Sequence, residues 1–257
     1  MPPHILVVGS AGLLGRHLVA LGVPGVGRAD GDVTDPAARE RILDRHRPDA
    51  VLFCAALADV DRCEADPAAR AVNAEAPAAW ARRVPLWLVS TNYVFSGPGP
   101  HRPGEEPAPV QAYGRQKAEA EAAVRAAGGH VVRTAWLFGA GGRSMPSRLP
   151  ALLRAGPVRC VADVPVQPTW AGDVAERLVA LPEGITHAVG SGETTWAAFA
   201  RALAVLLGLP GDRVVEVPEA ALGRPARRPD DARLAPALLP PWTDRLEALV
   251  PPLPIPR

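Results

Sequence analysis

Ile5-Leu6-Val7-Val8-Gly9-Ser10-Ala11-Gly12-Leu13-Leu14-Gly15, near the start of this 257-residue chain, runs from an apolar stretch into a turn punctuated by glycines. Four apolar residues without polar alternation suit a strand buried on both faces, as in a parallel sheet. The glycines fall at spacings of three, and the pattern from Leu13 to Leu21 reads as a helix. At such a junction the first glycine permits the tight turn and the second lets backbone approach a pyrophosphate. The third lets helix pack on strand. A glycine trio alone would also suit an ordinary strand-helix turn, but between this strand and this helix it points to a dinucleotide.

Outward from this unit, strand-like and helical patterns alternate. Val23 to Arg28 reads as a short second strand. Asp35-Pro36 supplies an N-cap and first-turn proline for a helix to about His46. Asp49 to Ala56 reads as a third strand, Asp66-Pro67 caps a helix towards Arg82, and Pro85 to Ser90 reads as a fourth strand. Ala112 to Ala127 forms a helix ended by Gly128-Gly129, followed by a strand from His130 to Thr134. The rhythm predicts an α/β fold: a doubly wound parallel Rossmann sheet with a smaller C-terminal substrate lobe. Residues 1–140 form the sheet domain, completed by parts of 158–190, and 141–257 are mainly the lobe. There Val158 to Val161 reads as a strand and Ala171 to Leu181 and Thr195 to Leu207 as helices. Pro251 to Arg257 reads as an extended arm or a disordered end.

Composition narrows the classes. The 28 basic and 27 acidic residues nearly cancel, so neither nucleic acid nor an anionic membrane is expected as a partner. No apolar run approaches the roughly 18 residues of a membrane span. Met1 to Gly9 lacks the basic start of a signal peptide. Cys54, Cys63 and Cys160 have no metal or redox spacing; Cys54 reads as a small core residue, and a reducing cytoplasm fits. Asp61, Glu64 and Glu75 could reach a metal, but acids on helix surfaces are ordinarily solvated, and no metal is expected. Oligomeric state is left open, a homodimer included.

The second strand should end at the adenosine ribose, where an acid selects a free 2′-hydroxyl and an arginine a 2′-phosphate. The chain has Gly27-Arg28 there, so NADP(H) is preferred, with NAD(H) the alternative; Arg28 would otherwise be a solvated cation. Asp32, beside Val33, could accept from the adenine amino group or simply cap its loop.

Tyr113-Gly-Arg-Gln-Lys117 sets a phenol and an ammonium on one helix face. Ketone reduction needs a proton donor at the developing alkoxide, and a nearby ammonium would lower the phenol's pKa while gripping the nicotinamide ribose. Ser90-Thr91, at the end of the fourth strand, could polarise the same carbonyl. Tyr-x-x-x-Lys arises often on helix surfaces. This chain, however, has a single lysine and two tyrosines, so the spacing would occur at random on the order of one time in a hundred.

These motifs, with Ser90-Thr91-Asn92-Tyr93-Val94-Phe95-Ser96-Gly97, resemble the extended short-chain dehydrogenase/reductase family, and within it the dTDP-4-dehydrorhamnose reductase group. The resemblance extends through Val132-Arg133-Thr134-Ala135-Trp136-Leu137-Phe138-Gly139, Gln167-Pro168-Thr169 and Ala226 to Leu234. It implies Thr91, Tyr113 and Lys117 as the catalytic set. It implies Gly9, Ala11, Gly12, Leu13, Leu14, Gly15, Arg28, Asp32, Val33, Ala55, Ala56 and Tyr93, with Tyr113 and Lys117, along the cofactor. It places Thr91, Asn92, Tyr93, Trp136 and Arg228 at a nucleotide-sugar substrate, although Trp136 also reads as a core aromatic. The implied activity is NADP(H)-dependent reduction of a 4-keto-6-deoxy nucleotide sugar. The alternatives are another sugar or ketone, or a non-catalytic subunit resembling the regulatory one of methionine adenosyltransferase. Asn92 departs from the group's aspartate, Gly142 to Pro146 lacks its Asn-Phe pair, and Asp163 to Thr169 lacks its glutamine and glycine.

Overall fold

Because Ile5–Val8 has no polar side to turn outward, both of its faces must be covered, and both are. Leu6 and Val8 pack with Phe53, Trp80, Leu86 and Leu88 on one face of the central sheet. Val7 packs with Leu14, Leu18, Leu52 and Val132 on the other. Removing each such side chain from water contributes about 1.5–3 kcal/mol. The structure, a computed structural model, describes residues 3–141 and 144–250. The Gly142-Arg143 part of the altered loop and the Pro251–Arg257 tail lie outside the described residues.

The first half runs β1 (Ile5–Val8), α1 (Leu13–Ala20), β2 (Gly25–Val26), α2 (Pro36–His46), β3 (Ala50–Phe53), α3 (Val60–Ala65), α4 (Ala68–Arg70), a π-helical turn (Ala71–Glu75) and α5 (Ala76–Ala81). It continues through β4 (Leu86–Thr91), a 3₁₀ turn (Asn92–Val94), α6 (Ala112–Ala126) and β5 (His130–Thr134). Then follow β6 (Leu137–Phe138), α7 (Met145–Ala155), β7 (Val158–Val161), β8 (Pro165–Val166), β9 (Thr169–Trp170), α8 (Ala171–Val179), β10 (Ile185–His187), β11 (Thr194–Thr195), α9 (Trp196–Leu206) and β12 (Val214–Val217).

The central sheet has the order β2-β1-β3-β4-β5-β10, and every neighbouring pair is parallel. The chain leaves β1 outward to β2 and returns across it to β3, which opens a crevice at the carboxyl ends of β1 and β3. A second core gathers Phe138, Leu149, Leu153, Cys160, Phe199 and Leu203 under the parallel pair β7–β12. The segment 226–240 has little regular structure but is stitched to both parts. Gln167 takes both backbone groups of Leu234, donating to its carbonyl at 3.0 Å and accepting its N–H at 2.7 Å.

Local chemistry accounts for the departures from the sequence reading. The second strand is two residues, not six: Pro24 has no N–H for the ladder, and the Gly27 N–H is taken by the Asp30 carboxylate at 2.8 Å. The helix expected from Pro67 to Arg82 is broken by the π turn. Pro77 cannot donate to the carbonyl four residues back, and the wider turn accommodates that loss. Helix α3 was not expected; the Asp59 side chain caps it by accepting from Arg62 N. Cys54 is half-buried beside a core cluster rather than within it.

Candidate active site

At the first junction the glycines are required sterically. Gly9 has φ +96°, and a Cβ there would lie 2.7 Å from Ala55 N; one on Gly15 would lie 2.2 Å from Gly9 O. Among the described residues no side chain makes a capping hydrogen bond at Gly12, so the positive end of α1 is left to a ligand. Ala55 and Ala56 follow β3 across the crevice, half-buried and exposed respectively, and Ala11 is exposed beside Gly12. This cradle fits a dinucleotide pyrophosphate. Leu13 is half-buried and the Leu14 side chain lies in the core, so Leu14 has only backbone to offer.

Arg28 is exposed in the turn after β2, while the nearest acid, Asp30, is turned back onto Gly27. Asp32 accepts from both the N–H and the hydroxyl of Thr34, and these bonds hold its carboxyl below the usual range. It therefore caps its loop. Val33 packs against the core, and its carbonyl accepts from Trp80 Nε1 at 3.1 Å.

Thr91, Tyr113 and Lys117 converge at the carboxyl end of β4. The Thr91 hydroxyl accepts from Tyr93 N at 3.2 Å, which fixes the 3₁₀ turn, donates to Asn92 Oδ1 at 3.3 Å, and acts downward on the pKa of the Tyr113 phenol beside it. Tyr113 reaches this point because Gly114 lets α6 come close: a Cβ there would lie 2.1 Å from Tyr93 O. The helix start is tied down by Gln111, which accepts from Gly114 N at 2.6 Å, and by Glu64, which accepts from Ala112 N at 2.8 Å.

Lys117 is buried to 1% exposure and donates to Val89 O at 2.8 Å. Burial pulls its pKa down from 10.5 to about 8, while Glu121 and Cys54 act upward. Tyr113 differs from expectation. Burial pushes its phenol up, with Cys63 and Tyr93 acting the same way and the Thr91 hydroxyl acting downward. The ammonium is held on the Val89 carbonyl, so in this geometry it does not lower the phenol's pKa as anticipated. Tyr113 is thus a protonated phenol at neutral pH, the form that a proton donor needs.

Ser90 does not join Thr91 at the site. Its hydroxyl donates inward to Glu121, which also takes Arg133 through bonds of 3.1, 3.1 and 2.7 Å. Arg133 and Glu121 are 1% and 3% exposed, and the guanidinium also covers the Phe95 ring at 4.7 Å. This ionic knot fastens β4, β5 and α6 around Lys117. A second knot is Asn73, fully buried in the π turn, which accepts from Leu57 N at 2.8 Å and donates to Gln116 Oε1 at 2.8 Å. Neither knot was singled out from the sequence. The i,i+4 step from Lys117 to Glu121 and the Pro77 break were the available signals.

A cleft next to Thr91 in sequence is lined by Asn92, Tyr93, Trp136, Glu219, Arg224 and Arg228 among others. Asn92 donates its amide to Ala232 O at 3.1 Å, a bond that a carboxylate could not make. Trp136 has φ +44°, rare for a bulky residue, and packs edge-on against Trp196 at 4.6 Å. Burial pushes the Tyr93 phenol up, and Arg228 beside it acts downward. Arg228 forms a two-pronged pair with Asp61 at 2.6 and 3.0 Å and also donates to Ala226 O.

The three acids weighed as metal ligands are each engaged: Asp61 with Arg228, Glu64 with Ala112 N, and Glu75 with Arg70. Among the described residues no group of three ligating side chains comes together.

A family model described as the RmlD substrate binding domain matches residues 3–240. A dTDP-4-dehydrorhamnose reductase of Streptomyces griseus is 41% identical over 254 residues, spanning 88% of this chain and 84% of its own. A probable dTDP-4,6-dihydroxy-2-methyloxan-3-one 4-ketoreductase of Streptomyces antibioticus is 41% identical over 247 residues, spanning 87% and 84%. The crystal structure of a dTDP-4-dehydrorhamnose reductase ortholog from Clostridium acetobutylicum is similar with a TM-score of 0.87 at 27% identity, covering 96% of this chain and 98% of that one.

Proposed function

The chain belongs to the family described as the RmlD substrate binding domain, and from that premise we propose that it is an NADP(H)-dependent reductase of a 4-keto-6-deoxy nucleotide sugar, of the dTDP-4-dehydrorhamnose reductase kind. The observation that carries the proposal is the convergence of Thr91, Tyr113 and buried Lys117 at the carboxyl end of β4, next to the Asn92–Tyr93 wall of a cleft.

The cofactor supplies the hydride. The glycine cradle of Gly9, Gly12 and Gly15 with the α1 start would hold its pyrophosphate, and Arg28 its 2′-phosphate. Tyr113 delivers its phenolic proton to the substrate's carbonyl oxygen as negative charge develops there. The Thr91 hydroxyl holds that oxygen in place. Lys117, fixed on Val89 O beside the Glu121 knot, would meet the nicotinamide ribose. Asn92 and Trp136 shape the sugar side.

Among the described residues no helix is long and apolar enough to cross a membrane, and all three cysteines are free thiols. A cytoplasmic setting belongs to the same proposal. The test is consumption of NADPH absorbance by the purified chain with a dTDP-4-keto-6-deoxy sugar. Turnover is expected in the wild type and near-complete loss in Tyr113→Phe. NADPH binding without turnover on any keto-sugar would favour the regulatory-subunit alternative and refute the reductase.

A further inference from the structure

Two arginines enter the cleft, and the sequence resemblance singled out only Arg228. Its guanidinium is already committed: both of its terminal nitrogens bond Asp61, one also bonds Ala226 O, and Asp61 in turn accepts from Ala226 N at 3.1 Å. The Arg228 side chain is 11% exposed, and the pair clasps α3 to the C-terminal segment. Removing its charge would strand Asp61 rather than free a binding site.

Arg224 is differently placed. Its side chain is 29% exposed in the same cleft, and among the described residues its only ion pair is a loose one, 3.7 Å to Glu219. Glu219 opens the 3₁₀ turn Glu219–Leu222, anchored by its N–H on Asp163 at 2.9 Å. Gly223 then adopts φ +55°, reversing the chain so that Arg224 returns alongside Glu219. The turn thus holds an anion and a cation side by side at the cleft wall. Burial pushes the Glu219 carboxyl up; of the charges around it, Arg224 and Arg228 act downward and Asp163 and Asp61 upward.

We infer that Arg224, not Arg228, receives the diphosphate of the nucleotide-sugar substrate, and that Glu219 is a stand-in anion which the diphosphate displaces. This rests on the nucleotide-sugar reading of the cleft. A diphosphate offers Arg224 a planar, two-pronged match that the 3.7 Å contact with Glu219 lacks. Once displaced, Glu219 faces the incoming anion. Arg224 therefore favours substrate and Glu219 opposes it, two neighbours with opposite signs of effect.

The experiment measures calorimetric binding of dTDP and of thymidine to the NADPH-loaded full chain, for wild type, Arg224→Gln and Glu219→Gln. Arg224→Gln should weaken dTDP about tenfold and leave thymidine unchanged, since only the diphosphate meets the arginine. Glu219→Gln should tighten dTDP about threefold by removing a like charge. In turnover the same changes should appear in KM with kcat nearly constant. If Arg224→Gln proves unstable, Arg224→Lys keeps the charge without the fork and should show intermediate weakening. Unchanged dTDP affinity in Arg224→Gln, or weaker binding in Glu219→Gln, overturns the inference while wild-type turnover leaves the reductase reading standing. A wild type that neither binds dTDP nor turns over overturns both.

Discussion

Replacing Lys117 by methionine should destroy the activity and make the protein more stable. The ammonium is 1% exposed, and burial brings its pKa from 10.5 to about 8. A fall of that size means that folding costs about 3 kcal/mol, as order of magnitude, when the lysine must stay charged. The sign follows from proton counts. Between about pH 8 and 10.5 the unfolded chain holds a proton that the folded chain has lost, so the folded state gains stability as pH rises. Below about pH 8 both states are protonated and the penalty is full. Methionine has a similar length and no charge, and losing the bond to Val89 O gives back about 1 kcal/mol. The net gain at pH 7 is about 2 kcal/mol, or roughly 4–8 °C for a chain of this size. The assay is denaturant and thermal unfolding of wild type and variant at pH 7 and pH 10. The advantage should be clear at pH 7 and mostly gone at pH 10. A variant less stable than wild type at pH 7, or an advantage independent of pH, would refute the reasoning.

Glu121→Leu should cost about 3–5 kcal/mol by stranding the buried Arg133 charge, while Glu121→Leu with Arg133→Leu should recover most of that in urea titrations. Gly15→Ala should abolish NADPH fluorescence enhancement, because its Cβ would meet Gly9 O at 2.2 Å and must push α1 off β1. Arg28→Asp should lower the preference for NADPH over NADH by about tenfold or more, measured as the ratio of kcat/KM values for the two cofactors; an unchanged ratio would place Arg28 away from the 2′-phosphate.

The parallel sheet was legible because Ile5–Val8 and the glycine junction leave few alternatives, and Asp35-Pro36 capped α2 as read. Tyr113 and Lys117 stand out in the sequence because the composition leaves one lysine and two tyrosines, Thr91 because it follows the fourth strand, and the structure brings the three together. What escaped were long-range partners. No local pattern shows that Ser90 turns inward to Glu121, that Asn73 bonds Leu57 and Gln116, or that Asp61 occupies Arg228. Those bonds exist only once elements distant in sequence are packed. The direction of the Tyr113 pKa was misjudged for the same reason. Helical spacing brings Lys117 to the right face of α6, but the Val89 carbonyl decides where its ammonium rests.

The central claim is that Tyr113 gives a proton while the bound nicotinamide gives a hydride to a sugar carbonyl. Turnover with NADPH deuterated at the transferable position, read by mass spectrometry and NMR of the product, tests it most directly. The account predicts one deuterium at C4 of the deoxysugar, and none formed by Tyr113→Phe despite normal NADPH binding. Deuterium retained in the cofactor, or a Tyr113→Phe variant that labels C4 as fast as wild type, would contradict it.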